Sequence, residues 1–183
     1  MTSPAVFLDR DGTLVEARHY PSRPDELVLV PGVARELVTL REGGYRLVLV
    51  SNQSGIGRGL FSERDLARMH AHLGRELRRD GAWLDAYLHC PHLPEDGCAC
   101  RKPLSGMLDR AARDLDIDLA RSWMVGDILD DIEAAHRAGC RAVLVDRGTE
   151  RLPASPLRTP DHVASDTQSA LRFIECEVMD AVA

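Results

Sequence analysis

The stretch Val6–Val15, VFLDRDGTLV, decides how the rest of the chain is read. A short run of β-forming residues stops at two carboxylates, Asp9 and Asp11, and then meets Gly12. This reads as a strand delivering acidic groups into a turn. Residues two apart on a strand point the same way, which places Asp9 and Asp11 on one side of the strand end. Gly12 and Thr13 are expected to turn the backbone tightly, so that its amides face an anion. Taken alone, Asp-x-Asp-Gly is most often only a turn. A calcium loop counted from Asp9 would need a glutamate at its twelfth position, and Tyr20 stands there.

Working outward, apolar runs alternate with amphipathic ones. AVFLD, YRLVLVSN, AYLHC, SWMVGD and RAVLVD read as strands. Val33, Leu37 and Leu40 share one helical face. Leu66, Met69, Leu73 and Leu77 share another, behind a capping-box start at Ser62 and Asp65. Met107, Leu108, Ala111 and Leu115 predict a third helix, and Ile132 to Ala138 a fourth. RGTERLPASPLRTPD reads as a surface loop. A short strand at His162 to Ala164 and a helix from Thr167 are expected to close the fold. The alternation predicts an α/β fold: a Rossmann-like parallel sheet with helices on both faces.

The chain has 183 residues, 44% of them hydrophobic, so one domain over 1–183 is expected. A net charge of −6 argues against a nucleic-acid surface. The basic cluster Arg75 to Arg79 reads as a solvated helix face. No apolar run approaches the ~20 residues of a membrane span. No secretion signal is read, so the cytoplasm is expected. Three of the five cysteines, Cys90, Cys98 and Cys100, crowd into one segment, which reads as metal binding in a reducing compartment. With His92 they form a Cys₃His set over a zinc-binding loop, 90–100, suited to closed, structural Zn²⁺. His89 is read as a bystander, and Cys140 and Cys176 as core thiols.

In an open parallel sheet, ligands bind beyond the carboxyl ends of the strands. Asp9 and Asp11 end the first strand, and Ser51 and Asn52 the second. Gly126 and Asp127 end the fourth, with Asp130 and Asp131 just beyond. Arg101 and Lys102 lie between the third and fourth. Asp9 and Asp127 can hold Mg²⁺, a hard cation that prefers oxygen. Ser51 and Lys102 can hold phosphate oxygens, leaving a carboxylate free to attack phosphorus. Each signal is weak singly; their order and shared position after strands carry the reading.

FLDRDGTL, SNQSG, CRKP and GDILDD resemble, in order, the four motifs of the haloacid dehalogenase-like (HAD) phosphohydrolases. The resemblance runs from Val6 to about Asp146. DRDGTL, NQSGIGRG and CPHLPEDGCACRKP are similar to the histidinol-phosphatase and heptose-bisphosphate-phosphatase group. It implies that Asp9 is the nucleophile, forming an aspartyl phosphate, and that Asp11 is the general acid and base. It implies Mg²⁺ held by the Asp9 carboxylate, the Asp11 backbone carbonyl and Asp127. Ser51 and Lys102 would stabilise the transferring phosphoryl group. Asn52, Gln53, Arg58, Arg101 and Tyr20 are candidate substrate contacts. The stretch between the first two motifs is too short for a large cap domain. The zinc loop and VEARHYPSRPDEL are expected to wall an open cleft.

The expected substrate is a small phosphorylated metabolite, and a monomer is expected to act on it. The resemblance of NQSGIGRGLFSE to the heptose enzymes puts the 7-phosphate of D-glycero-D-manno-heptose 1,7-bisphosphate first, with histidinol phosphate or another small sugar phosphate as alternatives. Ile128, where the heptose pattern has lysine, and Ala17, Arg18 and His19 depart from that pattern. A zinc-stabilised binding module is the non-enzymatic alternative.

Overall fold

In the computed structural model residues 2–151 and 155–182 are described, with side chains as far as Glu177. Residues 152–154 of the expected surface loop lie outside the described residues. Among the described residues six parallel strands run in the order β3-β2-β1-β4-β5-β6. They are β1 (Ala5–Leu8), β2 (Arg46–Asn52), β3 (Ala86–Cys90), β4 (Trp123–Gly126), β5 (Arg141–Val145) and β6 (His162–Ala164). The helices are α1 (Val33–Glu42), α2 (Glu63–Arg79), α3 (Gly106–Leu115), α4 (Leu129–Ala138) and α5 (Thr167–Val182).

The period-2 alternation of the strands divides the core in two. Val6, Leu8, Leu47 and Leu49 pack with Leu37 of α1, Met69 of α2 and Leu171 of α5 on one face. Ala5, Phe7, Val48 and Val50 pack with Leu108 of α3 and Ile132 of α4 on the other. The sheet is therefore covered on both sides, as all-parallel sheets require. Ser62 caps α2 as its sequence predicts: its hydroxyl accepts from the Asp65 amide at 3.2 Å, and the Asp65 carboxylate takes the Ser62 amide at 3.0 Å. Arg75, Arg78 and Arg79 face solvent on that helix.

From β1 the chain steps to β2 and β3 on one side, while β4, β5 and β6 lie on the other. The boundary between β1 and β4 is the topological switch point, where the crossovers on either side leave a crevice. Between β1 and β2 lie only a 3₁₀ turn (Pro24–Glu26) and α1. No cap-sized insertion occurs among the described residues. No described helix is long and apolar enough to cross a membrane.

Two expectations are corrected. Cys140 is buried, but Cys176 lies on the exposed face of α5 and is not a core thiol. The first strand ends at Leu8, not at Asp9. The Asp9 amide still donates to the Val125 carbonyl at 3.0 Å, but Arg10 and Asp11 are already in the turn. Strand alternation therefore does not place Asp11; its side-chain partners do.

Candidate active site and metal centres

Asp9 extends from β1 and Asp127 follows β4, so the two acids flank the switch point. Lys102 reaches between them from the loop before α3. Its ammonium donates to Asp9 Oδ1 at 2.6 Å and to the Val50 carbonyl at 2.9 Å. Asp131 Oδ1 stands 2.6 Å from the same ammonium as an ion pair, off the hydrogen-bonding direction. Burial works against the Lys102 charge, but Asp131 and Asp9 outweigh it and hold the ammonium above the ordinary lysine range.

Oxygens of Asp9, Asp127 and Asp131 lie within 4.8 Å of one another. Burial, then repulsion from Asp9, pushes Asp127 up to about 6. Burial also raises Asp131, against the pull of Lys102. Three carboxylates against one ammonium leave net negative charge in a poorly solvated cleft. An oxygen-rich set of this kind fits Mg²⁺.

Glycines permit this crowding. Gly12 has φ +80°, and a Cβ there would stand 2.1 Å from Asp127 Oδ2. A Cβ on Gly126 would stand 2.2 Å from Asp131 Oδ2. The Gly12 amide donates to the Val15 carbonyl at 2.9 Å, so it is committed to the turn and does not face an anion as expected. Arg147, beyond β5, donates to the Gly12 carbonyl at 2.8 Å and ties the turn down.

The second motif meets this cluster from β2. Gln53 Nε2 donates to Ser51 Oγ at 2.7 Å and to Asp11 Oδ2 at 3.2 Å, joining the first two motifs. Asn52 exchanges two hydrogen bonds with the Lys102 backbone, at 3.0 and 3.1 Å. Its amide is thus a clasp between motifs rather than a free group in the cleft. Tyr20 is held at φ +47°, uncommon for a bulky residue. Its phenol is lowered below the usual tyrosine range by the Ser54 hydroxyl, and Arg58 and Arg101 add to the effect. The Arg58 guanidinium lies 5.9 Å from the Tyr20 ring centre. Tyr20, Arg58 and Arg101 therefore face the same region. A groove of about 320 Å³ lined by Pro94, Cys98, Arg101, Leu104 and Asp130 runs along the zinc loop.

The loop between β3 and Arg101 gathers Cys90, His92, Cys98 and Cys100. Cys90 and Cys98 sulfurs are 3.5 Å apart, Cys98 and Cys100 3.6 Å, and His92 Nδ1 is 3.4 Å from Cys90 Sγ. A tetrahedron with zinc–sulfur bonds of ~2.3 Å has edges of ~3.8 Å, so the set, with Cys90 and Cys100 sulfurs only 3.2 Å apart, is gathered tighter than a Zn²⁺ site but offers its four donors. His89 instead pairs with Glu63 at 2.8 Å and stays outside the set, as read from the sequence. Arg101 donates to the His92 carbonyl at 3.3 Å, coupling the loop to the CRKP turn.

Asp131 is the site residue that the sequence reading left unassigned. It is the third residue of α4, and its Oδ2 reaches the Ile128 amide at 3.4 Å. Four residues after Asp127, it reads equally well as a helix-capping acid. Only its burial beside Lys102 separates the two readings.

This fold and cleft define a magnesium-dependent phosphatase of HAD type. The HAD-hydrolase-like family model matches residues 99–170. The D-glycero-beta-D-manno-heptose-1,7-bisphosphate 7-phosphatase of Haemophilus ducreyi is 39% identical over 95% of this chain and 100% of its own length. The D-glycero-D-manno-heptose-1,7-bisphosphate 7-phosphatase of Thermosynechococcus vestitus is 41% identical over 95% of this chain and 96% of its own. The crystal structure of the D,D-heptose 1,7-bisphosphate phosphatase of B. bronchiseptica, complexed with magnesium and phosphate, superposes with a TM-score of 0.86 at 38% identity, covering 95% of this chain and 99% of that one. The chain belongs to the HAD-like hydrolases, in their heptose-bisphosphate phosphatase family.

Proposed function

We propose that this enzyme removes the 7-phosphate of D-glycero-D-manno-heptose 1,7-bisphosphate through a phosphoenzyme at Asp9. The observation that carries the reading is the meeting of Asp9, Lys102 and Asp127 at the switch point, in a chain whose full-length relatives bear that name. The Asp9 carboxylate attacks phosphorus, and the bond to the sugar oxygen breaks. Asp11 donates its proton to that oxygen. Water then attacks the aspartyl phosphate, Asp11 takes the water's proton, and phosphate leaves. Lys102 and Ser51 hold the phosphoryl oxygens.

Asp9, Asp127 and the Asp11 backbone carbonyl would hold Mg²⁺, with Asp131 close enough to join them. The ion supplies charge neutralisation at the phosphoryl group when bound. Arg58, Arg101, Tyr20 and Gln53 would form the sugar-facing wall, while Asn52 holds the wall to the catalytic lysine. The chain works as one domain and as a monomer, with the cleft open to a small metabolite and not to nucleic acid. A cytoplasmic setting agrees with three clustered thiols kept reduced for metal.

The test is a comparison of kcat/KM for the heptose bisphosphate, histidinol phosphate and simple hexose phosphates, with Mg²⁺ and with chelator. The heptose bisphosphate should lead, and chelation should abolish turnover. Preference for histidinol phosphate would move the substrate assignment to the sister group. No turnover of any phosphate ester would leave only a zinc-stabilised binding module.

A further inference from the structure

Arg10 sits between the two acids of the opening motif and has no role in the proposed phosphoryl transfer itself. Its side chain is fully buried, at 0% exposure, among the largest such side chains in the protein. Buried guanidinium groups are rare unless paired. The pairing here is with its immediate neighbour. Arg10 Nε donates to both Asp11 oxygens at 3.1 Å, and Nη2 donates to Asp11 Oδ2 at 2.8 Å. Residues i and i+1 on a strand point apart. The fork forms because β1 has already ended and the turn brings the two side chains to one side.

Among the described residues Arg10 has no second ion-pair partner. Nη1 is buried without a hydrogen-bond partner. The charge of Arg10 reaches His70 on α2, whose ring is held neutral, mainly by burial. The Asp11 side chain keeps 27% exposure, so the carboxylate is gripped without being sealed from solvent. Gln53 holds Oδ2 from the β2 side at 3.2 Å. Among the described residues two side chains fix the carboxylate, and of these Arg10 contacts both of its oxygens.

We propose that Arg10 is a positioning residue for phosphoryl transfer: its buried guanidinium fork, with Gln53, sets where the Asp11 carboxylate stands relative to Asp9. A buried ion pair is a poor source of net stability compared with apolar packing. What this one provides is a fixed direction, because the fork geometry of arginine has no equivalent in lysine. Misplacing a reacting group by about 1 Å costs on the order of 10²-fold in rate.

The inference rests on Asp11 being the general acid, and the experiment separates the two. Phosphoenzyme formation is followed by rapid acid quench in Arg10→Met, Arg10→Lys, Asp11→Asn and the Arg10→Met/Asp11→Asn double variant. Two substrates are used, a sugar phosphate with a poor leaving group and p-nitrophenyl phosphate with a good one. Arg10→Met should slow the sugar phosphate by on the order of 10²-fold, with KM changing little. The aryl phosphate should lose about tenfold or less, because it needs little protonation. In the Asp11→Asn background Arg10→Met should cost almost nothing more. Equal losses on both substrates, or a full additional loss in the Asp11→Asn background, would overturn the positioning role and leave Arg10 a packing residue. If Asp11→Asn itself shows no leaving-group dependence, the acid assignment fails instead. Should Arg10→Met not fold, Arg10→Lys keeps the charge and loses the fork. It is expected to show the same substrate dependence, and wild-type rates in that variant would refute the proposal.

Discussion

Lys102 and Asp131 form an ion pair at 2.6 Å in which neither side chain is more than 1% exposed. The lysine also holds Asp9, 93 residues away in sequence, at the same distance. One ammonium is thus shared by two buried carboxylates, and the stability of the central strand ends is tied to the cleft between Asp9 and Asp127. Removing one partner of such a pair strands the other charge in a poorly solvated place. Lys102→Met should therefore lower unfolding free energy by about 3–5 kcal/mol, read by urea denaturation, and abolish turnover. Adding Asp131→Asn should recover much of the stability without recovering activity. A double variant no more stable than the single one would mean that Asp131 is not the stranded charge.

Asp9→Asn should abolish both turnover and phosphoenzyme. The substitution keeps shape and can still accept from Lys102, so the melting temperature should change little. Acid-quenched protein incubated with labelled substrate reports the intermediate directly. Appreciable labelling of Asp9→Asn would place the nucleophile elsewhere.

Gly12→Ala tests the approach between the first and fourth motifs. The added Cβ would sit 2.1 Å from Asp127 Oδ2 at a φ of +80°. Asp127 must move, and the left-handed backbone costs an alanine about 1–2 kcal/mol. The expected result is loss of Mg²⁺-dependent activity well beyond the modest fall in stability. Gly139→Ala, at φ +86° with open space around its Cβ, is the control that carries backbone strain alone.

Zinc should be present at about one equivalent per chain, the stoichiometry of one four-ligand site. Cys98→Ser removes one of the four ligands. It should lower the melting temperature and weaken turnover together, because Arg101 hangs from the His92 carbonyl. Elemental analysis with thermal melts, before and after chelation, gives both readings. Unchanged melts after complete zinc removal would separate the loop from the fold.

His70 should make the protein sensitive to acid. Burial, chiefly, holds its ring at about 3 against an ordinary 6.5. The unfolded chain therefore binds an extra proton between those values. Stability is complete above about 6.5 and drains as pH falls toward about 3, by at most about 1.4 kcal/mol per pH unit from this group. His70→Phe retains an aromatic ring beside Tyr87, now 5.1 Å away centre to centre. Subtracting its stability–pH curve from the wild-type curve between pH 4 and 6.5 should leave a positive slope. A flat difference would show that His70 is not buried neutral.

The sequence by itself determined the parts whose signals are local. Leu66, Met69, Leu73 and Leu77 recur at helical spacing, and Ser62 with Asp65 forms a cap within one turn, so α2 was legible with its start. His162–Ala164 and the helix from Thr167 were legible too, because short apolar periodicity and turn residues act within a few positions. The zinc set was legible because its four ligands fall within eleven residues, Cys90 to Cys100. The order of Asp9, Ser51 and Asp127 at strand ends, with Lys102 in the loop after the third strand, was enough for the class of chemistry. Only the tertiary structure decided the rest. Placing β1 between β2 and β4 depends on pairings far apart in the chain, and it brings Asp9 to Asp127. Asp131 reads locally as a helix cap and becomes part of the cluster only when α4 packs against β4 and faces Lys102. Arg10 carries no local signal of its pairing with Asp11, which depends on the turn that follows β1. Cys176 reads as a core thiol, yet it turns outward because Leu171 and Ile174 take the buried face of α5. In each case the deciding quantity is a charge or an apolar surface removed from water by a distant segment, and no local spacing records which segment that is.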